Sequence, residues 1–244
     1  MPFTPSHAAA VLPLLRTPLP ASALVIGSVS PDLPYYLPGA PAWPTHSAVA
    51  VVTTDLALGV LAWVLWHALV SAAVLHLAPR PLRARLAGRV RVGLRCRAGG
   101  LSALALVVVA LVVGAATHVG WDEFTHAGRW GTGNAPALSR TWFGLEGFRW
   151  AQYGSGVGGL VVLSVWCRRW WHRAPVVPVP GRRGAAAVWG VLVGASTVAG
   201  LLAAGQTSGA RAWAFAGATT GGAVLLLGLT SVALVLRFTA SERR

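Results

Sequence analysis

Apolar residues run through this chain in long blocks, and the polar residues are gathered between them. The blocks at 47–77, 100–120, 184–206 and 212–236 each reach the roughly 20 residues that a helix needs to cross a bilayer. A fifth block, 154–171, is slightly short. The pattern predicts an all-α, polytopic membrane bundle with about five long transmembrane helices.

The first 46 residues read differently. Residues 8–30 are apolar enough for a span, but Arg16, Pro18 and Pro20 interrupt them. Proline removes a backbone donor and breaks the helix ladder. Two short helices, about 7–16 and 20–29, folded back as a re-entrant hairpin suit this sequence better. Such a hairpin packs inside protein, where its broken backbone finds partners, and it returns the chain to the side it left. The opening MPFTPSHAAAVLPLLRTPLP lacks a basic n-region, so it is expected to stay in the mature protein. Near the other end, VVPVPG (176–181) is a short proline-rich linker. It divides a membrane-embedded domain, 1–175, from a C-terminal helix pair, 184–244, through a cytoplasmic linker at 176–183. Gly190, Gly194, Gly200, Gly221 and Gly222 point to close helix packing in that pair, which reads as a structural anchor.

Charge fixes an orientation. Only 11% of the 244 residues are charged and 55% are hydrophobic, against about 25% charged in a soluble domain. All twenty basic residues are arginine, and the formal net charge is +14. Seven lie between Arg80 and Arg97, five between Arg168 and Arg183, and three at Arg237, Arg243 and Arg244. Clusters that alternate in this way are what the positive-inside rule expects of cytoplasmic loops, so the charge is topological and does not point to nucleic acid. The expected place is a bacterial cytoplasmic (inner) membrane, multi-pass, with the C-terminus cytoplasmic and membrane lipids as partners. Trp43, Trp121, Trp142, Trp150 and Trp213 then fall at the outer interface, and Trp166, Trp170 and Trp171 at the inner one. Cys96 and Cys167 sit beside arginines on the reducing side, without a second cysteine at metal-binding spacing, and read as inert thiols.

Against this greasy background the stretch THVGWDEFTH (117–126) stands out, with two of seven histidines and two of six acids. His118, Asp122 and His126 recur every four residues, which sets them on one helix face within roughly 80°. Glu123 stands at the edge of that arc. The topology carries His7, Asp32, His46 and Asp55 to the same end of the bundle. Asp55 lies about two and a half turns inside its span, where a carboxylate is costly and faces the bundle interior or a ligand. Imidazoles with carboxylates suit a divalent metal, zinc first and manganese or iron after it. The hydroxyl residues that precede His7, His46, His118 and His126 are candidates to hold those rings. Isolated His67, His76 and His172 read as interfacial residues. GSGVGG (154–159) opens a span without a preceding strand, so it reads as helix packing and not as a phosphate cradle. TWFGLEGFRWAQYG (141–154) either lines a substrate entrance, through Arg149 and Tyr153, or forms an aromatic belt.

The motifs MPFTPSHAAAVLPLL, ALVIGSVSPDLPYYLP, THS, THVGWDEFTH and QYGSG, in that order over roughly residues 1–165, resemble domain-of-unknown-function family 4184, a family of bacterial membrane proteins. Their order is also similar to that of the inner-membrane proteins described as metal-dependent hydrolases. This resemblance implies His7, Asp32, His46, His118 and Asp122 as metal ligands, with His126 added by this family's block. The hydrolase-like group often has an acid after Pro-Asp and a histidine before Thr-His-Ser. Leu33, Pro34, Trp43 and Pro44 stand there instead, which argues against a full two-metal site.

The expected function is a membrane-bound metal-dependent hydrolase of an ester or phosphoester, lipid-like by location, at the extracytoplasmic face. His126 is then a ligand or proton shuttle, Glu123 a general base, and Arg129, Arg140 or Arg149 the holder of an anionic headgroup. Two other readings stand beside it. One is a non-catalytic protein with a structural metal or an ion-conducting cluster, favoured by Asp55. The other is a hydrogen-bonded interior network without metal.

Overall fold

The computed structural model of the chain describes residues 4–37, 43–86, 93–94, 99–181 and 184–241. Cys96, Glu242 and the arginines at 89, 91, 95, 97, 182, 183, 243 and 244 lie outside the described residues. The fold is 79% helical. Two 3-10 turns, Thr4–Ala9 and Leu12–Arg16, open it, followed by α1 (Ala21–Gly27) and a third 3-10 turn, Ser30–Tyr36. Next come α2 (Ala48–Val52), α3 (Thr54–Leu65), a π turn at Trp66–Val70 and α4 (Ser71–Leu77), then α5 (Arg80–Leu86) and α6 (Leu101–Thr125). Short α7 (Trp130–Asn134) and α8 (Pro136–Ser139) lead to strands β1 (Thr141–Trp142) and β2 (Leu145–Glu146). Three long helices complete it: α9 (Gly147–Arg173), α10 (Ala185–Gly205) and α11 (Ala210–Ser241).

Four helical stretches are long and apolar enough to cross a membrane: Ala48–Leu77, Leu101–Asn134, Ala185–Gly205 and Ala210–Thr239. They coincide with the four long blocks of the sequence. Large apolar side chains stay exposed along them, among them Val108, Val109, Val198, Leu202, Leu227 and Val235. An apolar surface that continuous is what lipid, and not water, stabilises, and it marks a membrane protein. α9 is an unbroken helix of 27 residues, but it carries polar first turns and ends in Arg168, Arg169, His172 and Arg173. It is not one of the four.

The proline-rich opening departs from the expected pair of helices at 7–16 and 20–29. Pro13, Pro18 and Pro20 cap the hydrogen-bonded ladder at a turn or two, so only Ala21–Gly27 is α-helical and the rest is 3-10. The first and third 3-10 turns and α1 each bury residues, whereas Leu12–Arg16 buries none. Val11, Ala23 and Leu24 form one buried core with Trp63 of α3 and Val107, Ala110 and Leu111 of α6. The chain is also not wholly helical. Thr141–Trp142 and Leu145–Glu146 pair as a two-residue hairpin, with positive φ at both Phe143 (51°) and Gly144 (85°), as a type I′ turn requires.

Two glycines set a close crossing in the bundle. A Cβ on Gly27 would lie 2.3 Å from the Leu111 carbonyl oxygen, and one on Gly114 would lie 2.4 Å from that of Leu24. Backbone therefore rests on backbone where α1 crosses α6. The α10–α11 pair packs similarly at Gly200 against Gly217, and at Gly221 against Ser196. Gly222 faces the Tyr36 ring instead, while Gly190 and Gly194 meet nothing within 4 Å. Trp189 Nε1 donates to the Leu77 carbonyl at 2.9 Å, which ties α10 to α4. At the arginine-rich end, Arg83 donates to the Pro180 carbonyl, and Arg85 donates to the Trp171 carbonyl while lying 4.0 Å over a Trp171 ring.

Candidate metal centre

Four segments deliver five side chains to one buried point. His7 comes from the first 3-10 turn, Asp32 from the third, His46 from the loop before α2, and His118 and Asp122 from α6. His118 and Asp32 are 0% exposed, Asp122 2%, His46 5% and His7 9%. His7 Nε2 is 3.8 Å from Asp122 Oδ1, and His46 Nε2 lies 3.0 Å from Asp32 Oδ1 and 3.6 Å from Asp122 Oδ2. His118 Nε2 lies 3.7 Å from Asp32 Oδ1 and 3.6 Å from Asp122 Oδ2. The donors overlap as two triads, His7–His118–Asp122 and Asp32–His46–His118.

Local structure explains why each donor points inward. The Gly27–Gly114 crossing brings the end of α1 onto α6, and Ser28 then offers its carbonyl to His118 Nδ1 at 2.8 Å, one turn beyond Gly114. Gly159 of α9 lets the first 3-10 turn approach, since a Cβ there would meet Ser6 at 2.9 Å; His7 follows Ser6. His46 has φ of 63°, a left-handed conformation that is costly for a residue with a side chain. Arg129 Nη1 holds it by donating to the His46 carbonyl at 2.6 Å, and Ser47 caps α2 immediately after. Hydroxyls fix the remaining atoms. Thr4 Oγ1 donates to Asp32 Oδ2, and Thr45 Oγ1 is 2.8 Å from His46 Nδ1. Of the expected hydroxyl partners, Thr45 and Thr125 reach their histidines, whereas Thr117 bonds back to the Gly114 carbonyl of its own helix.

Burial disfavours a charged Asp32, but the hydrogen bond to His46, the nearby His118 and the Thr4 hydroxyl outweigh it. Together they hold the carboxyl well below its usual range. Burial, with the His118 ring stacked at 3.7 Å, lowers His7 to about 4, so it presents a neutral imidazole at neutral pH. Neutral imidazoles with ionised carboxylates are the donor set that zinc, manganese or iron takes. The spacing fits as well. Donors sharing one zinc lie about 3 to 4 Å apart, because each is about 2.1 Å from the ion. His118 makes the sharpest case. Its Nδ1 must carry the proton that the Ser28 carbonyl accepts, and its buried Nε2 meets no hydrogen-bond partner among the described residues. That nitrogen faces two carboxylates at 3.6 and 3.7 Å, a position that a positive charge must fill, either a proton on the ring or a metal ion beside it.

The other expected site residues fall elsewhere. α6 ends at Thr125, and His126 is already extended (φ −130°, ψ 142°), so the three-residue helical face stops at Asp122. His126 lies beside the donors: its Nδ1 is 3.3 Å from Asp122 Oδ1, and Gln152 Nε2 donates to its Nε2 at 2.9 Å. Glu123 is about 100° further round the helix. Its carboxylate accepts from the Trp130 amide at 2.8 Å and lies 3.7 Å from Arg129, turned away from the donors. Arg149 pairs with Glu146, away from the cluster. Asp55 is 0% exposed in α3, outside both triads, and neither carboxylate oxygen meets a donor among the described residues. His67 is not interfacial. It is buried, with Nε2 2.9 Å from Ser22 Oγ and its ring edge-on to Trp63.

The donors open on a cavity of about 640 Å³, to which His46, Asp122 and His126 contribute along with Tyr153, Arg129 and Arg211. Residues 208–212, between α10 and the first turn of α11, line it too, as does Phe215, whose ring meets Tyr35 edge-on. A smaller polar cavity of about 20 Å³, bordered by His7, Asp122 and Gln152, has room for one water molecule. Sequence reasoning missed Thr4 and the Ser28 carbonyl. It assigned Arg211 to an anchor, although Arg211 is the one ionisable side chain between the last two spans.

Neither a curated protein nor a solved structure matches the chain. The sequence model described as Domain of unknown function (DUF4184) matches residues 1–237, well past the 1–165 that carry the motifs and through both C-terminal helices. The buried donors and the helices that enclose them thus lie in one matched region, and the chain belongs to the DUF4184 family.

Proposed function

We propose that this chain is a membrane-bound, metal-dependent hydrolase of an ester or phosphoester, acting at the extracytoplasmic face of a bacterial inner membrane. The observation that carries the reading is the buried His118 Nε2, which makes no hydrogen bond among the described residues and lies within 3.7 Å of both Asp32 and Asp122. In this reading His7, Asp32, His46, His118 and Asp122 hold one divalent ion, zinc by preference. The N-terminal segment is a re-entrant hairpin, and α9 is a fifth span. The Thr4–Asp32 hydrogen bond, which joins the two ends of that hairpin, supports the fold-back.

A divalent ion in such a site lowers the pKa of water toward neutrality. The chain supplies the rest. Thr4, Thr45 and the Ser28 carbonyl orient the donors. Hydrolysis forms a bond from water oxygen to the acyl or phosphoryl centre and breaks the ester bond, and a proton must pass from the water to the leaving oxygen. His126 lines the cavity outside both triads, between Asp122 and Gln152, and is the imidazole placed to carry that proton. Elemental analysis of detergent-purified protein tests the site. About one ion per chain is expected in the wild type, with loss in His118→Ala and Asp122→Asn, and cleavage of at least one member of a phosphoester and carboxylester panel. Full metal with no cleavage across the panel would remove the enzymatic step.

Asp55 favours a second reading. A fully buried carboxylate without a donor suits a protein that passes a cation. Proteoliposome flux that disappears in Asp55→Asn, in a wild type that hydrolyses nothing, would select it.

A further inference from the structure

We infer that the substrate of this site bears a phosphate group, and that Arg211, with Arg129, is what recognises it. The inference rests on the metal-site reading and adds the chemistry of the ligand. Both arginines line the cavity that His46, Asp122 and His126 also line. Asp32 and Asp122 bring two negative charges, which one divalent ion neutralises. Arg129 is offset in part by Glu123 at 3.7 Å, and one of its nitrogens is spent on the His46 carbonyl. Arg211 has no acceptor among the described residues. The cavity therefore carries uncompensated positive charge, together with guanidinium donors that match a phosphate's oxygens in pairs.

The backbone adds to this. Residues 208–212 line the cavity, and α11 begins at Ala210, so the amides of Ala210, Arg211 and Ala212 precede the first intrahelical bond, which Trp213 makes to Gly209. A helix of 32 residues presents a partial positive charge there. A neutral ester would leave these donors unused, and a carboxylate has two oxygens for an ion and two arginines. A tetrahedral phosphate has enough for all three. The helix pair that resembles an anchor thus completes the pocket. The same phosphate chemistry arrives either on a lipid headgroup or on a soluble phosphomonoester.

Calorimetric titration of the full-length, metal-loaded protein in detergent tests this, with metal content measured on every sample. The probes are inorganic phosphate and dioctanoyl phosphatidate. The wild type is expected to bind phosphate, and Arg211→Gln to weaken it about ten- to a hundredfold at unchanged metal content. Arg211→Lys restores part of the loss, and Arg173→Gln, at the far end of α9 and outside the cavity lining, has no effect. Phosphatidate binding far tighter than phosphate assigns the lipid source; equal affinities assign the soluble one. Metal-loaded protein that binds neither probe, or binds both equally well in Arg211→Gln, overturns the inference and leaves the metal site standing. Protein that holds no metal overturns the site and the inference together.

Discussion

His118 shows how a single atom decides between a hydrogen-bonded network and a metal centre. Asp32 and His46 have hydrogen-bond partners that a metal-free interior would also supply; the buried Nε2 of His118 has none among the described residues. Hydroxyls that hold the donors are a separate, milder lever. Thr4→Val and Thr45→Val are expected to lower zinc affinity about 10- to 100-fold while the fold survives, as competition with a chromogenic chelator would report. Equal affinity in wild type and variants would show that those hydroxyls do not orient ligands. At this scale the sequence was legible where spacing alone places a side chain. His118 and Asp122, one helical turn apart, were readable, as were the motif residues His7, Asp32 and His46. His126 was misplaced because the helix ends one residue before it, and no proline or helix-stop glycine precedes that end. Glu123 looked available because helical spacing says which way it points but not that the Trp130 amide waits there.

Elements make the site precise through the crossing of α1 and α6. Gly114→Val is expected to destabilise the protein by about 1–3 kcal/mol or more, since its side chain must push the Leu24 carbonyl away. It should also lose metal, because the same shift withdraws the Ser28 carbonyl from His118. Gly190→Ala, where nothing lies within 4 Å, should leave the stability within about 0.5 kcal/mol of wild type, as unfolding in detergent would report. A similar loss in both variants would mean that the crossing is not special. The four apolar blocks predicted four helical stretches, three with ends within a few residues; the stretch that begins at Leu101 runs on to Asn134, well past the expected end at 120. The N-terminal elements were harder, because proline shows where a ladder breaks but not which short helix forms between breaks. The β-hairpin at 141–146 had no alternating apolar run to announce it.

On the scale of the whole molecule, the arginine clusters predict an orientation that Cys167 can report. It is exposed on α9 beside Arg168. An impermeant maleimide should label Cys167 in a Cys96→Ser background in inverted membrane vesicles and not in intact spheroplasts. Labelling from the outside would invert the topology and move the metal centre to the cytoplasmic face. The order of the donors along the chain has its own consequence for biogenesis. His7, Asp32 and His46 are all synthesised before α6, which brings His118 and Asp122. A nascent chain therefore holds three of the five donors in its first segment, without the other two, until the later helix has inserted and crossed α1. A chain truncated after α5 should retain no zinc and be degraded quickly, which pulse-chase would show. In the metal-site reading, ion capture would then serve as a proofreading step, sealing the assembled bundle only when its earliest and later segments have met in register.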